Sequence, residues 1–350
     1  VSSDHYASLV IPVDTHLVAP LGQEDVEIRR LADVGFDGAF TFEGSHDPFF
    51  PLVAAAKAGT GLHLMTNVAI ALPRSPLTLA YAAWDLQTLS GGTFRLGLGS
   101  QIKTHIERRY GARWESPVGQ MREWVEAIHA IFNTWQNGEK LDYRGTYTSH
   151  TLMTPFFNPG PNEFGPPPIL LGALGPKMTQ MVAETADGLL THPFNSRRHL
   201  VERTLPAVDA GLAAAGRPAR GSPDSSFQLV LEAMVCCGRN EAEIAAAEAD
   251  TRNRLAFYGS TPSYLPVLEA EGWADLQPEL NRLSKLGQWK EMGNLIDDTM
   301  LRTLSVHGTP AECAAGIKER FGEATRIALT MPQGSDAPLT AELLSLLRES

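Results

Sequence analysis

Between Pro166 and His192 the chain reads Pro-Pro-Pro-Ile-Leu-Leu-Gly-Ala-Leu-Gly-Pro-Lys-Met, then Thr-Gln-Met-Val-Ala-Glu-Thr-Ala-Asp-Gly-Leu-Leu-Thr-His. Its glycines are placed to bind an anion. The apolar run Ile169 to Leu171 breaks at Gly172 and turns through Gly175 and Pro176. Met178, Met181 and Val182 then recur at helical spacing, and Asp187-Gly188 leads into a second apolar run. Such a loop joins the carboxyl end of a parallel strand to the amino end of a helix. There, unpaired backbone N–H groups and the helix dipole both favour negative charge. Gly172, Ala173, Leu174, Gly175, Pro176 and Lys177 therefore suit a phosphate, and Pro176 suits a first helical turn, which needs no N–H from it. An ordinary strand-to-helix turn would carry the same residues, so the loop alone leaves both readings open.

Other reactive side chains follow apolar runs in the same way. Asp14 and His16 follow the first, Glu43, His46 and Asp47 the second, and Asn67 lies within the third. Gln101, Lys103, His105 and Glu107 follow the fourth, and His192 the sixth. Lys103, Arg108, Arg109, Lys177, Arg197 and Arg198 add a local positive bias suited to a multiply anionic ligand. Solvated, paired surface charge is the plainer account of any one of them. Four histidines in this set, His16, His46, His105 and His192, would suffice for a metal hydrolase, but none has the close pairing that marks a metal site. Asp14 and Glu43 as a glycosidase pair is weaker still, because sequence gives no separation between them.

These residues need elements to hold them, and strand-like and helix-like stretches alternate almost throughout. The apolar runs are Leu9 to Val13, Gly38 to Phe42, Leu62 to Ala71, Phe94 to Leu98, Ile169 to Leu171, Gly188 to Thr191, Phe227 to Val235 and Ile327 to Met331. Helical patterns lie between them: Gln23 to Val34, stopped by Gly35, then Pro48 to Lys57 and a helix opened by Ser75-Pro76 and running to Leu89. Others cover Met121 to Trp135, the stretch after Gly175, Arg198 to Ala215, a start at Asn240 to Glu243, a start at Thr309-Pro310-Ala311-Glu312, and Leu339 to Leu347. The stretch from Asn137 to Pro167 reads as an excursion with a small hairpin, and residues 259 to 305 as several short inserted helices. Eight alternations favour a closed α/β barrel, a (β/α)8 TIM barrel with insertions after strand 4 and strand 7, over an open doubly wound sheet. The dinucleotide alternative fails at Ile102, which stands where a third glycine should follow Gly97 and Gly99.

The chain has 350 residues, is 43% hydrophobic and shows no dividing linker or repeat, so one domain over 1–350 is expected. A net charge of −11 argues against nucleic acid as a partner. No apolar run is long enough to span a bilayer, and no signal pattern opens the sequence, which predicts a cytoplasmic protein without a membrane partner. The three cysteines lack metal or disulfide spacing and read as reduced and packed.

Several stretches together resemble the bacterial luciferase-like superfamily, and within it the oxidoreductases dependent on the deazaflavin coenzyme F420. They are Gly35-Phe36-Asp37-Gly38 leading to Glu43, Phe94-Arg95-Leu96-Gly97-Leu98-Gly99-Ser100, Pro167 to Pro176 with Ala186-Asp187-Gly188, and Gly308-Thr309-Pro310-Ala311-Glu312. The resemblance spans most of the chain and implies the same barrel fold. It implies that Gly172 to Lys177 hold the cofactor phosphate, and that a non-prolyl cis peptide at Asn67-Val68 lies behind the cofactor ring. Glu43 would lie beside that ring, and Gln101 and His105 would contact the cofactor. His46 stands two residues from the family's catalytic histidine, so His46 or Glu43 would handle the proton that accompanies hydride transfer to or from a small organic substrate. Ile102 replaces an acid found in some members, which places the substrates of those members in question. Phe42, Phe49, Phe50 and Trp114 would line an apolar substrate pocket, or else serve only as core. The resemblance further implies a homodimer. Its alternatives are a monooxygenase using reduced FMN and a flavin-binding protein without catalysis.

Overall fold

The computed structural model describes residues 11–332 and 335–349. Eight parallel strands close on themselves: β1 (Val13–His16), β2 (Gly38–Thr41), β3 (His63–Thr66), β4 (Phe94–Gly99), β5 (Ile169–Gly172), β6 (Gly188–Leu190), β7 (Gln228–Cys237) and β8 (Arg326–Thr330). β8 pairs with both β7 and β1, and this closes the α/β barrel that the alternation predicted. Leu9 and Val10, expected in the first strand, lie outside the described residues; the strand itself begins later, at Val13.

Helices α1 (Glu24–Val34), α2 (Phe49–Lys57), α3 (Pro76–Leu89), α4 (Pro117–Asn137), α5 (Pro176–Thr185), α6 (Leu205–Ala214), α7 (Pro310–Arg320) and α8 (Ala337–Arg348) surround the strands. Local chemistry sets their ends. Gly35 closes α1 at φ 106°, a left-handed geometry that glycine adopts without a Cβ clash. The Ser75 hydroxyl accepts the Thr78 N–H at the start of α3. Thr309 and Glu312 exchange both bonds of a capping box at α7. The helix Glu241–Gly259 departs from that pattern. Asn240 caps the Glu243 N–H, but the Glu243 carboxylate reaches back one residue further, to the Arg239 N–H.

Three other expectations need correction. The third strand is not continuous to Ala71: it stops at Thr66, and Ala69–Ile70 resumes pairing against Leu98 and Gly99 after a break. The helix expected over Arg198 to Ala215 is a turn at Arg197–His199, a wider π-type turn at Leu200–Thr204, and only then α6. A short strand unforeseen in the sequence, Val306–Gly308, extends the sheet beside the end of β7. Both insertions are present. The first carries the hairpin Tyr143–Arg144 with Ser149–His150, and the second carries helices Leu265–Glu271, Leu276–Lys285, Trp289–Gly293 and Asp298–Leu304. Cys236, Cys237 and Cys313 are free and buried. Among the described residues, no helix is long and apolar enough to cross a membrane.

The barrel interior is layered. Phe40, Met65, Leu170, Leu190, Val230 and Ala328 form an apolar plug at mid-height. Below it, toward the amino ends of the strands, lies a polar base. Buried Asp14 pairs with Arg326, while Arg95 donates to Gln228 Oε1 at 2.7 Å and to His63 Nδ1 at 2.8 Å. Asp14 was expected on the opposite rim; its place within β1 turns it into this base instead. Burial raises its carboxyl to about 6 against the pull of Arg326 and Arg95.

The same surroundings act oppositely on His63. Burial, with the charges of Arg95 and Arg326, holds its imidazole down at about 4 from an ordinary 6.5. Between those values the unfolded chain binds more protons than the native one, so this contribution to stability is complete above 6.5 and is lost as pH falls to about 4. Asp14, raised from 3.8 to about 6, titrates with the opposite sign over much of that window and is common to both proteins, so the His63 share is read as a difference. As pH falls from 6.5 to 4, the melting temperature of wild type should drop relative to that of His63→Gln, which keeps an acceptor for Arg95. Equal slopes in thermal denaturation of the two proteins would remove His63 from the account.

Candidate functional site at the barrel mouth

Above the plug, the carboxyl ends of the strands converge on polar groups. The peptide bond between Asn67 and Val68 is cis, as the resemblance implied. Its neighbours lock it into the mouth: the Asn67 N–H donates to Thr41 O at 2.7 Å, and the Glu43 N–H donates to Val68 O at 3.2 Å. The Val68 side chain lies over two glycines, since a Cβ at Gly99 or at Gly172 would crowd its methyl groups. The bulge after β3 and the glycine loop after β5 are therefore direct neighbours.

That loop has the form the sequence suggested. Gly175 precedes α5, no side chain caps the helix, and Pro176 occupies its first turn. Gly175 has φ −75°, which any residue adopts, and a Cβ there would meet nothing within 4 Å. Neither backbone nor packing demands glycine at this position. What the missing side chain provides is open approach to the uncapped N–H groups of the helix, which suits a phosphate. Ala173 is anchored through its N–H to Leu190 O at 3.3 Å, Leu174 packs on the insertion's core, and Lys177 is exposed.

Glu43 is held tightly. Its carboxylate accepts from Arg74 at 2.6 Å, from the Ile70 N–H at 2.8 Å and from the Tyr110 hydroxyl at 2.8 Å. Arg74 also donates to Asp47 at 2.9 Å. Burial and the bond to Glu43 raise the Tyr110 phenol to about 12. This carboxylate ties the loop after β2 to the segment after β3 and has little bonding capacity left for a ligand. His46 is exposed on the same loop and has no hydrogen-bond partner among the described residues. Gln101 sits two residues past the end of β4 at φ 60°, an uncommon conformation for a residue with a side chain, and its amide oxygen accepts the Ile102 N–H at 3.0 Å. His105 is exposed on the short helix Lys103–Arg108.

The basic set is largely committed elsewhere. Arg197 pairs with Glu323, Arg198 with Glu271, Lys103 with Glu107, and Arg109 donates to Gly44 O. Phe42 and Phe50 are exposed, whereas Phe49 and Trp114 pack against the core. Asp14 and Glu43 lie in separate layers, so they form no glycosidase pair. Among the described residues no group of three His, Cys, Asp or Glu side chains could hold a metal ion.

Sequence reasoning missed the carboxylate at the centre of the mouth. Glu232 is buried on β7; its Oε2 accepts from Asn67 Nδ2 at 3.0 Å and its Oε1 from Thr330 Oγ1 at 2.7 Å. His16 Nε2 lies 3.7 Å from Oε1. The signal was a lone acid inside the apolar run Phe227 to Val235, because a buried charge must find partners. His192 forms the adjacent wall. Its Nδ1 accepts the Phe194 N–H at 3.0 Å, and its ring stacks on Tyr264 at 4.3 Å and meets Tyr258 edge-on at 4.6 Å. Burial holds this imidazole down at about 4. Tyr258 ends the helix that follows β7 and Tyr264 opens the second insertion, so that region helps to enclose the mouth.

A family model described as luciferase-like monooxygenase matches residues 13–325, and the chain belongs to that family. It is 48% identical over 301 residues to an uncharacterized protein of Mycobacterium tuberculosis, covering 84% of this chain and 87% of that one. It is 31% identical over 332 residues to a 5,10-methylenetetrahydromethanopterin reductase of Archaeoglobus fulgidus, covering 91% and 92%. Among solved structures, the coenzyme F420 dependent tetrahydromethanopterin reductase from Methanopyrus kandleri superposes with a TM-score of 0.77 at 19% identity, over 96% of this chain and 97% of that one. Monooxygenases, one holding FMN, share the fold at TM-scores of 0.64 to 0.67. At the level these relatives share, the family is one of oxidoreductases and monooxygenases.

The Glu43 network carries a stability prediction. Arg74→Leu leaves a carboxylate with 6% side-chain exposure without its cation, and should cost about 3 kcal/mol. Urea unfolding measures it; a loss under about 1 kcal/mol would place the pair in the class of weak surface bridges.

Proposed function

We propose that this chain is an F420-dependent oxidoreductase, moving a hydride between the deazaflavin and a small organic substrate at the barrel mouth. The observation that carries the reading is the junction of the open Gly172–Lys177 loop with the Asn67–Val68 bulge, where Val68 lies over Gly99 and Gly172. One end of the junction offers N–H groups to a phosphate. The other presents a fixed apolar surface against which a flat ring system can rest. Gly172, Ala173, Leu174, Gly175, Pro176 and Lys177 would hold the phosphate-bearing tail, Asn67 and Val68 would back the ring, and Gln101 and His105 would edge it. When bound, the cofactor supplies a carbon that donates or accepts a hydride; this chain's residues bind, orient and exclude water.

The F420 reading is supported over FMN by the closer fold of an F420-dependent reductase, 0.77 in TM-score against 0.64 to 0.67 for the monooxygenases. A catalytic rather than merely flavin-binding role is supported by the buried carboxylate and histidines beside the bulge. The substrate wall would include His192, Tyr258 and Tyr264. Glu43, fully engaged by Arg74 and Tyr110, would shape the loop that carries His46. The same reading carries a homodimer with it, which sedimentation would check.

Titration of the purified protein with F420 and with FMN, followed by fluorescence, tests the cofactor. F420 should bind the more tightly, and turnover with a reducible substrate should persist without oxygen. Strict need for oxygen and reduced FMN would replace this reading by the monooxygenase. Gly175→Phe should fold with an unchanged melting temperature and bind F420 at least about tenfold more weakly, a difference of about 1.4 kcal/mol. Equal affinity in a folded variant would release the loop from the site.

A further inference from the structure

We infer that His16, set by Glu232, is the acid–base residue that moves the proton accompanying hydride transfer. The inference rests on the oxidoreductase reading above and goes beyond it, because the sequence pointed to His46 or Glu43. His16 is the last residue of β1, and its side chain, 28% exposed, faces the mouth and touches its floor. The ring meets Phe40 of the plug edge-on at 4.4 Å and leans on Phe42 at 5.4 Å. Nε2 faces the Glu232 carboxylate at 3.7 Å, within ion-pair range. Among the described residues neither ring nitrogen makes a hydrogen bond; Nε2 faces the carboxylate at ion-pair range, and Nδ1, with no polar partner, is free for substrate. A base oriented by a third group is the arrangement that proton transfer uses.

Glu232 is itself fixed. Asn67 and Thr330 each occupy one of its oxygens, and its N–H donates to Thr191 Oγ1 at 3.0 Å. Its position is therefore set by residues just past β3 and β6 and at the end of β8 together, which suits a positioning residue. Asn67 adds the link to chemistry, since it belongs to the bulge proposed to back the cofactor ring. His192 is the other histidine at this height, but its Nδ1 is taken by the Phe194 N–H and its ring is packed between Tyr258 and Tyr264.

The step balances simply. In the reducing direction a carbonyl or imine carbon gains a hydride with its electron pair, with reduced deazaflavin as the reductant. The carbon–heteroatom π pair moves to oxygen or nitrogen, which takes a proton from His16 Nδ1. The neutral imidazole regains its proton from solvent. In the oxidising direction His16 Nδ1 removes the O–H or N–H proton as the hydride leaves carbon. Glu232 stabilises the cationic ring in either direction and does not itself touch the substrate.

The test compares wild type, His16→Ala, His16→Gln and Glu232→Gln. His16→Ala and His16→Gln should bind F420 as the wild type does and lose about a hundredfold or more in kcat, with KM little changed. Added imidazole should restore part of the turnover of His16→Ala, an effect that a purely structural role would not give. In cofactor-free protein, the His16 Cε1–H resonance, assigned by its absence in His16→Ala, should shift in Glu232→Gln. Wild-type kcat in both His16 variants overturns this proposal while leaving the oxidoreductase reading intact. So does a His16 resonance unmoved by Glu232→Gln, or a defect confined to F420 affinity. Failure of the wild-type protein to bind either F420 or FMN overturns the underlying reading, and this proposal with it.

Discussion

A closed barrel of eight strands must fill its own interior, and everything at the mouth depends on how this one does so. The six inward side chains of the plug meet at mid-height from β2, β3, β5, β6, β7 and β8. Burying a large aliphatic or aromatic side chain contributes about 2 kcal/mol, so this layer helps to fix strand register. It also separates two polar regions with different roles. Below it, Asp14, Arg326, Arg95 and His63 satisfy one another; above it, Glu232 is satisfied, while among the described residues neither ring nitrogen of His16 makes a hydrogen bond.

The mouth is open because two strand ends and one loop position carry no bulk there. Gly99 and Gly172 leave room for Val68, and Gly175 leaves room for nothing in the chain itself. Around that space, carboxylates act as struts. Glu43 joins the loops after β2, β3 and β4 through Arg74, the Ile70 N–H and Tyr110, and Glu232 joins the bulge after β3 to β8 across the barrel through Asn67 and Thr330. A carboxylate buried with several donors is costly to disturb, which suits a site that must keep its shape while a ligand enters. The histidines divide accordingly: His63 and His192 are held neutral by burial, while His16 stays partly exposed beside a carboxylate.

Much of this was legible in the chain. Alternating apolar runs and helix starts gave the barrel and both insertions, and glycine, proline and capping residues marked helix ends to within a few residues. Those signals are local: φ preferences, N-caps and hydrophobic period act over a handful of neighbours. The glycine loop was equally legible, because a strand, two glycines, a proline and a helix lie consecutively. The break after Thr66 was visible only through resemblance to a family, since Leu62 to Ala71 reads locally as one apolar strand.

What sequence alone determined, then, is the order of elements, the open glycine loop before an uncapped helix and the set of reactive residues near strand ends. Tertiary structure decided which of those residues meet. Asp14 and His16 are two positions apart on one strand, yet the plug's geometry sends one to the base with Arg326 and the other to the mouth with Glu232. Glu43 looked available and is engaged by three donors; Glu232 looked like a strand interior and lies at the centre of the mouth. Partners separated by 165 residues, as Asn67 and Glu232 are, leave no trace in local spacing. They are brought together only when the sheet closes and β3, β7 and β8 face one another across the same few ångströms.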